Sequence, residues 1–123
     1  MAAAALASIE TIMKEKPWER AEELGKYWMN GLRKLQDKYD VIGDVRGKGV
    51  MIGVELVKDR KTKEPAKEES IRLKKEAGKR GLILPAGQGW FGNSIRLVPS
   101  VVMTKVQIDQ SLQIMDDSFA VIS

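Results

Sequence analysis

Asp44-Val45-Arg46-Gly47-Lys48-Gly49-Val50-Met51-Ile52-Gly53-Val54-Glu55-Leu56 is the stretch on which the fold turns. With Val41 and Ile42 ahead of it and Val57 behind, it holds two β-rich runs separated by Gly47-Lys48-Gly49, and that pattern predicts a β-hairpin. Side chains alternate across a strand, so Val50, Ile52, Val54 and Leu56 share one face while Met51, Gly53 and Glu55 share the other. The first set is a core face. The second is mixed, and its glycine allows something to approach closely.

Helices flank the hairpin. On its N-terminal side Ala21, Leu24, Trp28, Leu32 and Leu35 fall on one face of a helix that Pro17 opens and that ends near Tyr39. Ahead of Pro17 lies a separate alanine-rich helix, Ala2 to Lys16, with Leu6, Ile9, Ile12 and Met13 at helical spacing. On the C-terminal side a charged connection, Lys58 to Lys67, leads to a helix over 66–80. It turns Ile71, the stem of Lys74 and Ala77 or Gly78 inward and is capped by Gly81. Leu82-Ile83-Leu84 reads as a short buried strand, residues 85–93 as a turn-rich loop, and Ser94 to Val98 as a strand that Pro99 stops. Thr104, with Gln107 three residues on, predicts a capping box for a last helix carrying Ile108, Leu112, Met115, Phe119 and Ile122 on one face. The sum is an α+β domain: a small, mostly antiparallel sheet covered by helices.

Composition narrows the chemistry. The 123 residues suffice for one core, and 43% hydrophobic with 31% charged residues is the balance of an ordered, soluble chain. No apolar run approaches the roughly 20 residues that span a bilayer, so no membrane partner is expected. Cysteine and histidine are both absent, which removes thiolate and imidazole metal ligands, the thiol nucleophile and the usual general base near neutral pH. An intracellular, cytoplasmic setting fits the lack of cysteine. The net charge of +4 is spread among interleaved acids, as in Lys58-Asp59-Arg60-Lys61-Thr62-Lys63-Glu64, whereas nucleic acid calls for a one-signed stripe.

Few residues remain as candidates. Arg96 faces away from Ile95 and Leu97, directly after a glycine-rich loop, where a guanidinium can receive a carboxylate or phosphate; a surface ion pair is the commoner role for such a residue. Gly47-x-Gly49 and Gly87-x-Gly89 match no Walker or dinucleotide fingerprint and read as turns. Glu55 is expected in a salt bridge within the sheet. Trp28 belongs to the core stripe, while Trp90 and Phe91 either cap the core or form an exposed contact patch.

The hairpin stretch, a following helix, Arg80-Gly81-Leu82-Ile83-Leu84, and Gly92-Asn93-Ser94-Ile95-Arg96-Leu97-Val98-Pro99 closely resemble, in this order, the C-terminal segment of class III pyridoxal-phosphate-dependent aminotransferases. The likeness covers essentially the whole chain. It implies the small domain of a fold-type I enzyme over 17–123 and, over 1–16, the end of the helix that joins it to a large domain. In the family the arginine matching Arg96 receives the substrate's carboxylate. The Schiff-base lysine, the acid facing the pyridine nitrogen and the phosphate cup belong to the large domain. The resemblance therefore implies pyridoxal phosphate in a parent of the 4-aminobutyrate aminotransferase kind, dimeric at least. No catalytic, cofactor-binding or metal-binding residue is expected in this chain, no cofactor is expected bound to it, and transamination by it alone is not expected. Pro99 is followed by Ser100 and Val101 where the family often has a second proline and a leucine. A freestanding binding module is the competing reading. Apolar surface on the first helix and on the mixed sheet face predicts self-association.

Overall fold

The computed structural model describes all 123 residues. Seven elements follow in chain order: α1 (Ala2–Glu15), α2 (Pro17–Lys38), β1 (Ile42–Lys48), β2 (Met51–Leu56), α3 (Lys67–Lys79), β3 (Ser94–Leu97) and α4 (Lys105–Ile122). The strands form one antiparallel sheet in the order β1-β2-β3. The α+β class read from the sequence is the one observed.

The hairpin forms as expected, but its turn lies further along than Gly47-Lys48-Gly49, because Gly47 and Lys48 extend β1. Lys48 pairs with Met51, so the tight turn falls at Gly49-Val50, with Gly49 at φ 55°, a left-handed conformation that glycine adopts without strain. Ile52, Val54 and Leu56 of β2 are buried beside Ile42 and Val45 of β1 and Ile95 and Leu97 of β3. Helices α2, α3 and α4 cover this face with Leu24, Trp28, Leu32 and Leu35, then Leu73 and Ala77, then Ile108, Met115, Phe119 and Ile122. The other face of the sheet carries no helix.

Three local arrangements hold the layers together. Gly25 of α2 meets the hairpin turn so closely that a Cβ there would lie 1.9 Å from the Gly49 carbonyl oxygen. Thr104 and Gln107 make the expected capping box at the start of α4, satisfying amides that the first helical turn leaves free. Tyr39, which caps α2, donates its hydroxyl hydrogen to Asp116 of α4 at 2.6 Å and stacks on Phe119 with ring centroids 5.5 Å apart.

Two details differ from the sequence reading. Residues 82–84 are not a strand. Pro85 has no amide hydrogen to donate, and the segment alongside β3 keeps only the Gln88–Ser94 bridge and the Arg96 amide bonded to the Pro85 carbonyl. In α3 the inward face is Ser70, Leu73 and Ala77, and Ile71 is exposed. That helix presents a narrow small-residue stripe because it meets both α4 and the sheet at close range.

α1 stands apart. Lys16 takes the left-handed conformation (φ 47°, ψ 56°) and breaks the helical path before Pro17. None of the residues of α1 is buried, and Leu6, Ile9 and Met13 are each more than half exposed. No helix is long and apolar enough to cross a membrane.

Candidate carboxylate site

Counting along the ladder places the candidate residues. Gly53 pairs with Arg46 on one side and Arg96 on the other, so these three form one row across the sheet on its open face. Asp44, Glu55 and Ser94 make the next row on the same face. The alternation that buries Ile95 and Leu97 therefore leaves Arg96 exposed.

The two arginines differ in what surrounds them. Arg46 Nη1 donates to Asp44 Oδ2 at 2.6 Å and to Glu55 Oε2 at 2.9 Å. The hydrogen bond donated to Asp44, followed by the one donated to Glu55, raises the guanidinium's pKa above its ordinary value and keeps it charged under all working conditions. Arg96 has no carboxylate within 4.0 Å and its side chain makes no hydrogen bond. Glu55 thus takes up the in-sheet salt bridge expected of it, and Arg96 escapes the surface ion pair that is the commoner fate of a strand arginine.

Gly53 sets the shape of the row. A Cβ there would have only Arg46 within 4 Å, at 3.9 and 4.0 Å, so nothing rises between the two arginines. Beyond Arg96 a hollow of about 200 Å³ opens among Trp28, Ile83, Pro85, Val98 and Met103. A planar guanidinium with free donors beside an apolar wall is suited to the carboxylate of a small aliphatic acid.

The glycine loop ahead of β3 is firmly seated. Gln88 and Ser94 exchange backbone hydrogen bonds at 2.9 and 3.0 Å, the Gly87 amide donates to Ser70 Oγ at 2.9 Å, and the buried Asn93 donates through Nδ2 to the Leu56 carbonyl at 2.7 Å. At its tip Trp90 is 95% exposed and Phe91 62%, which decides for the surface patch over the core cap. Gly49 sits in the hairpin turn against Ala21 of α2, whereas Gly47, read as part of the turn, is a strand residue of β1 paired with Ile52.

Sequence reading singled out Arg96 and Glu55 but passed over Arg46 and Asp44. The signal was present: pairing the hairpin through its glycine turn sets Arg46 opposite Gly53, one row from Glu55.

The profile of the aminotransferase class-III family matches residues 1–119. The chain belongs to that family. Its relatives include the alanine–glyoxylate aminotransferase 2 homolog 2 of Arabidopsis thaliana, 41% identical over 95% of this chain and 24% of the relative. The leucine/methionine racemase of Thermococcus litoralis is 44% identical over 95% of this chain and 26% of its own length. Among solved structures, an amine transaminase from an uncultivated Pseudomonas species, in its pyridoxal-phosphate-bound form, superposes with a TM-score of 0.86 at 30% identity, over 98% of this chain and 27% of the other. This class-III chain spans about a quarter of the length of the curated relatives it matches.

Class III aminotransferases depend on pyridoxal phosphate. The residues of this chain do not build a cradle for it. Every lysine is exposed, so none has the desolvated setting that makes an amine a nucleophile at neutral pH. What the chain offers on its open sheet face is the unpaired guanidinium of Arg96.

Proposed function

We propose that this chain is the C-terminal small domain of a pyridoxal-phosphate-dependent aminotransferase acting on ω-amino acids of the 4-aminobutyrate kind, and that Arg96 receives the substrate's carboxylate. The observation that carries the reading is the unpaired Arg96 guanidinium on the open sheet face, next to a glycine, when its row-mate Arg46 already pairs with two carboxylates through Nη1. The 5-aminovalerate aminotransferase of Pseudomonas aeruginosa, 38% identical over 95% of this chain, supports an ω-amino acid as substrate. Residues 1–16 are then the end of an interdomain helix and 17–123 the small domain. The exposed apolar stripe of α1 and the open sheet face are the surfaces that a large domain, carrying the cofactor and its lysine, would cover in a cytoplasmic homo-oligomer.

In this role the chain binds and orients. Arg96 fixes one end of the substrate through paired N–H donors, and the apolar hollow excludes water from the aliphatic chain. The electron-sink chemistry is the cofactor's. A racemase parent is the second reading, favoured by the 44% identity to the leucine/methionine racemase, and it too acts on amino acids with a carboxylate for Arg96 to hold.

Titration of the ¹⁵N-labelled chain with 5-aminovalerate tests the assignment through the arginine Nε–Hε signals. A single charge-assisted contact of about 1–3 kcal/mol corresponds to a Kd on the order of 10–100 mM, so a weak, saturable shift of the Arg96 signal is expected, with shifts of the Gly53 and Leu97 backbone amides that are lost in Arg96→Gln. A shift that persists in Arg96→Gln, or none at Arg96, refutes the role. Turnover of 5-aminovalerate by this chain with added pyridoxal phosphate and a 2-oxo acid refutes its assignment as a partial enzyme.

A further inference from the structure

Where α2 ends and β1 begins, a hollow of about 540 Å³ opens between the first turn of α3 and the last turn of α4. It shares no residue with the hollow beside Arg96. Val41, Val57 and Ile122 give it apolar walls, and its charged side chains are Lys38, Asp40, Lys58 and Glu69. Three of these four are already paired: Lys38 with Asp116 at 2.6 Å, Lys58 with Glu64 at 2.8 Å and Asp40 with Arg60 at 3.7 Å. Glu69 alone has no cation within 4.0 Å. Its Oε2 is buried with no hydrogen-bond partner, a costly setting for a carboxylate oxygen, which leaves Oε1 as the one a ligand can reach. The first turn of α3 favours acids in general, but Glu68 is exposed there whereas Glu69 is turned into the wall of the hollow.

We propose that this hollow binds a short-chain primary alkylammonium, with the ammonium on Glu69 and the alkyl chain against Val41, Val57 and Ile122. One unpaired negative charge beside apolar walls calls for one positive charge on an aliphatic stem. A compact ammonium suits a single accessible oxygen, whereas a guanidinium fork asks for both. A metal ion fits poorly, since no three acidic side chains lie close enough together to hold one. Lys58 is the internal rival: it lies near enough to feel the charge of Glu69, yet Glu64 holds its Nζ. While that pair persists, Glu69 is open to a ligand. The site does not depend on the role given to Arg96.

n-Butylammonium is the probe, titrated at low salt into the ¹⁵N-labelled chain, with the backbone amides of Val41, Val57 and Ile122 as the readout. Saturable shifts with a Kd in the millimolar range are expected. In Glu69→Gln the Kd rises about fivefold or more, the size of a lost charge-assisted contact at a partly exposed site. In Lys58→Gln, which removes the rival cation, it falls about two- to threefold. Glu22→Gln makes the same change of net charge in the Lys26 pair on α2 and leaves the Kd where it was. Urea unfolding should find Glu69→Gln no less stable than the parent, because the substitution removes an unpaired carboxylate, so its weaker binding is not a loss of fold. Nα-acetyl-lysine methylamide carries the same ammonium arm and separates the two sources of such a ligand. Binding at least as tight as that of n-butylammonium assigns the site to a lysine side chain of a partner, and weaker binding assigns it to a free amine. An equal Kd for n-butylammonium in the parent and in Glu69→Gln, the same shifts on adding butan-1-ol at equal concentration, or no saturable shift at these amides overturns the proposal.

Discussion

Replacing Gly25 with alanine should destabilise the chain, against the intrinsic preference of the helix it sits in. Alanine is favoured over glycine inside a helix by about 0.8–1 kcal/mol. At Gly25, however, the new Cβ would lie 1.9 Å from the Gly49 carbonyl oxygen and 2.3 Å from its carbon, both backbone atoms of a tight turn. Relief requires α2 and the hairpin to separate by more than 1 Å, which is overpacking of a kind that costs about 1–3 kcal/mol. The net expectation is a loss of up to about 2 kcal/mol, or up to about 8 °C in Tm for a chain of this size. Gly78→Ala is the control, because Gly78 lies in the exposed last turn of α3 with nothing within 4 Å of its Cβ position. It should stabilise by about 0.5–1 kcal/mol. Urea unfolding of both variants, followed by far-ultraviolet circular dichroism, gives the two signs. If Gly25→Ala matched or exceeded the parent in stability, the close crossing of α2 with the turn would not exist in solution. The same variant also tests the site, since the turn sets the register that brings Arg46 opposite Gly53.

Two further outcomes follow from buried or bridging polar groups. Asn93→Ala should cost about 1–3 kcal/mol in chemical denaturation, because its buried Nδ2 donates to the Leu56 carbonyl where the glycine loop joins β2; a loss below about 0.3 kcal/mol would show the loop to be held by its backbone bonds alone. The hydrogen bond from Lys38, then that from the Tyr39 hydroxyl, holds the Asp116 carboxyl below its ordinary range. A carboxyl depressed on folding stabilises fully above its unfolded pKa, about 3.9, and loses that contribution as pH falls through the folded value. The stability gap between parent and Asp116→Asn, at most about 1 kcal/mol for a partly exposed pair, should therefore be constant above about pH 5 and close progressively below pH 4; a gap that widens on acidification contradicts the sign.

The legible parts of this chain are those where one residue's neighbours along the sequence are also its neighbours in space. The hairpin, the stripe on α2 and the capping box of Thr104 all depend on separations of two to four residues, and each is found where periodicity places it. The strand expected at 82–84 is absent because its pairing depends on the whole β3 edge, to which Pro85 gives no amide hydrogen. α3 misleads for a related reason: which of its faces turns inward is set by how closely α4 and the sheet approach, so small Ser70 and Ala77 are buried while Ile71 is exposed.

Arg96 shows the same division within the site. Strand alternation alone sends its side chain to the face opposite Ile95 and Leu97, and the sequence marks it as a cation beside a glycine loop. Whether it is free is a property of three strands at once. Only the assembled sheet sets Arg46, Gly53 and Arg96 in one row and gives both nearby carboxylates to Arg46. Local covalent geometry determines which way a side chain points, whereas the competition among charges for partners is decided by residues that folding alone brings within reach.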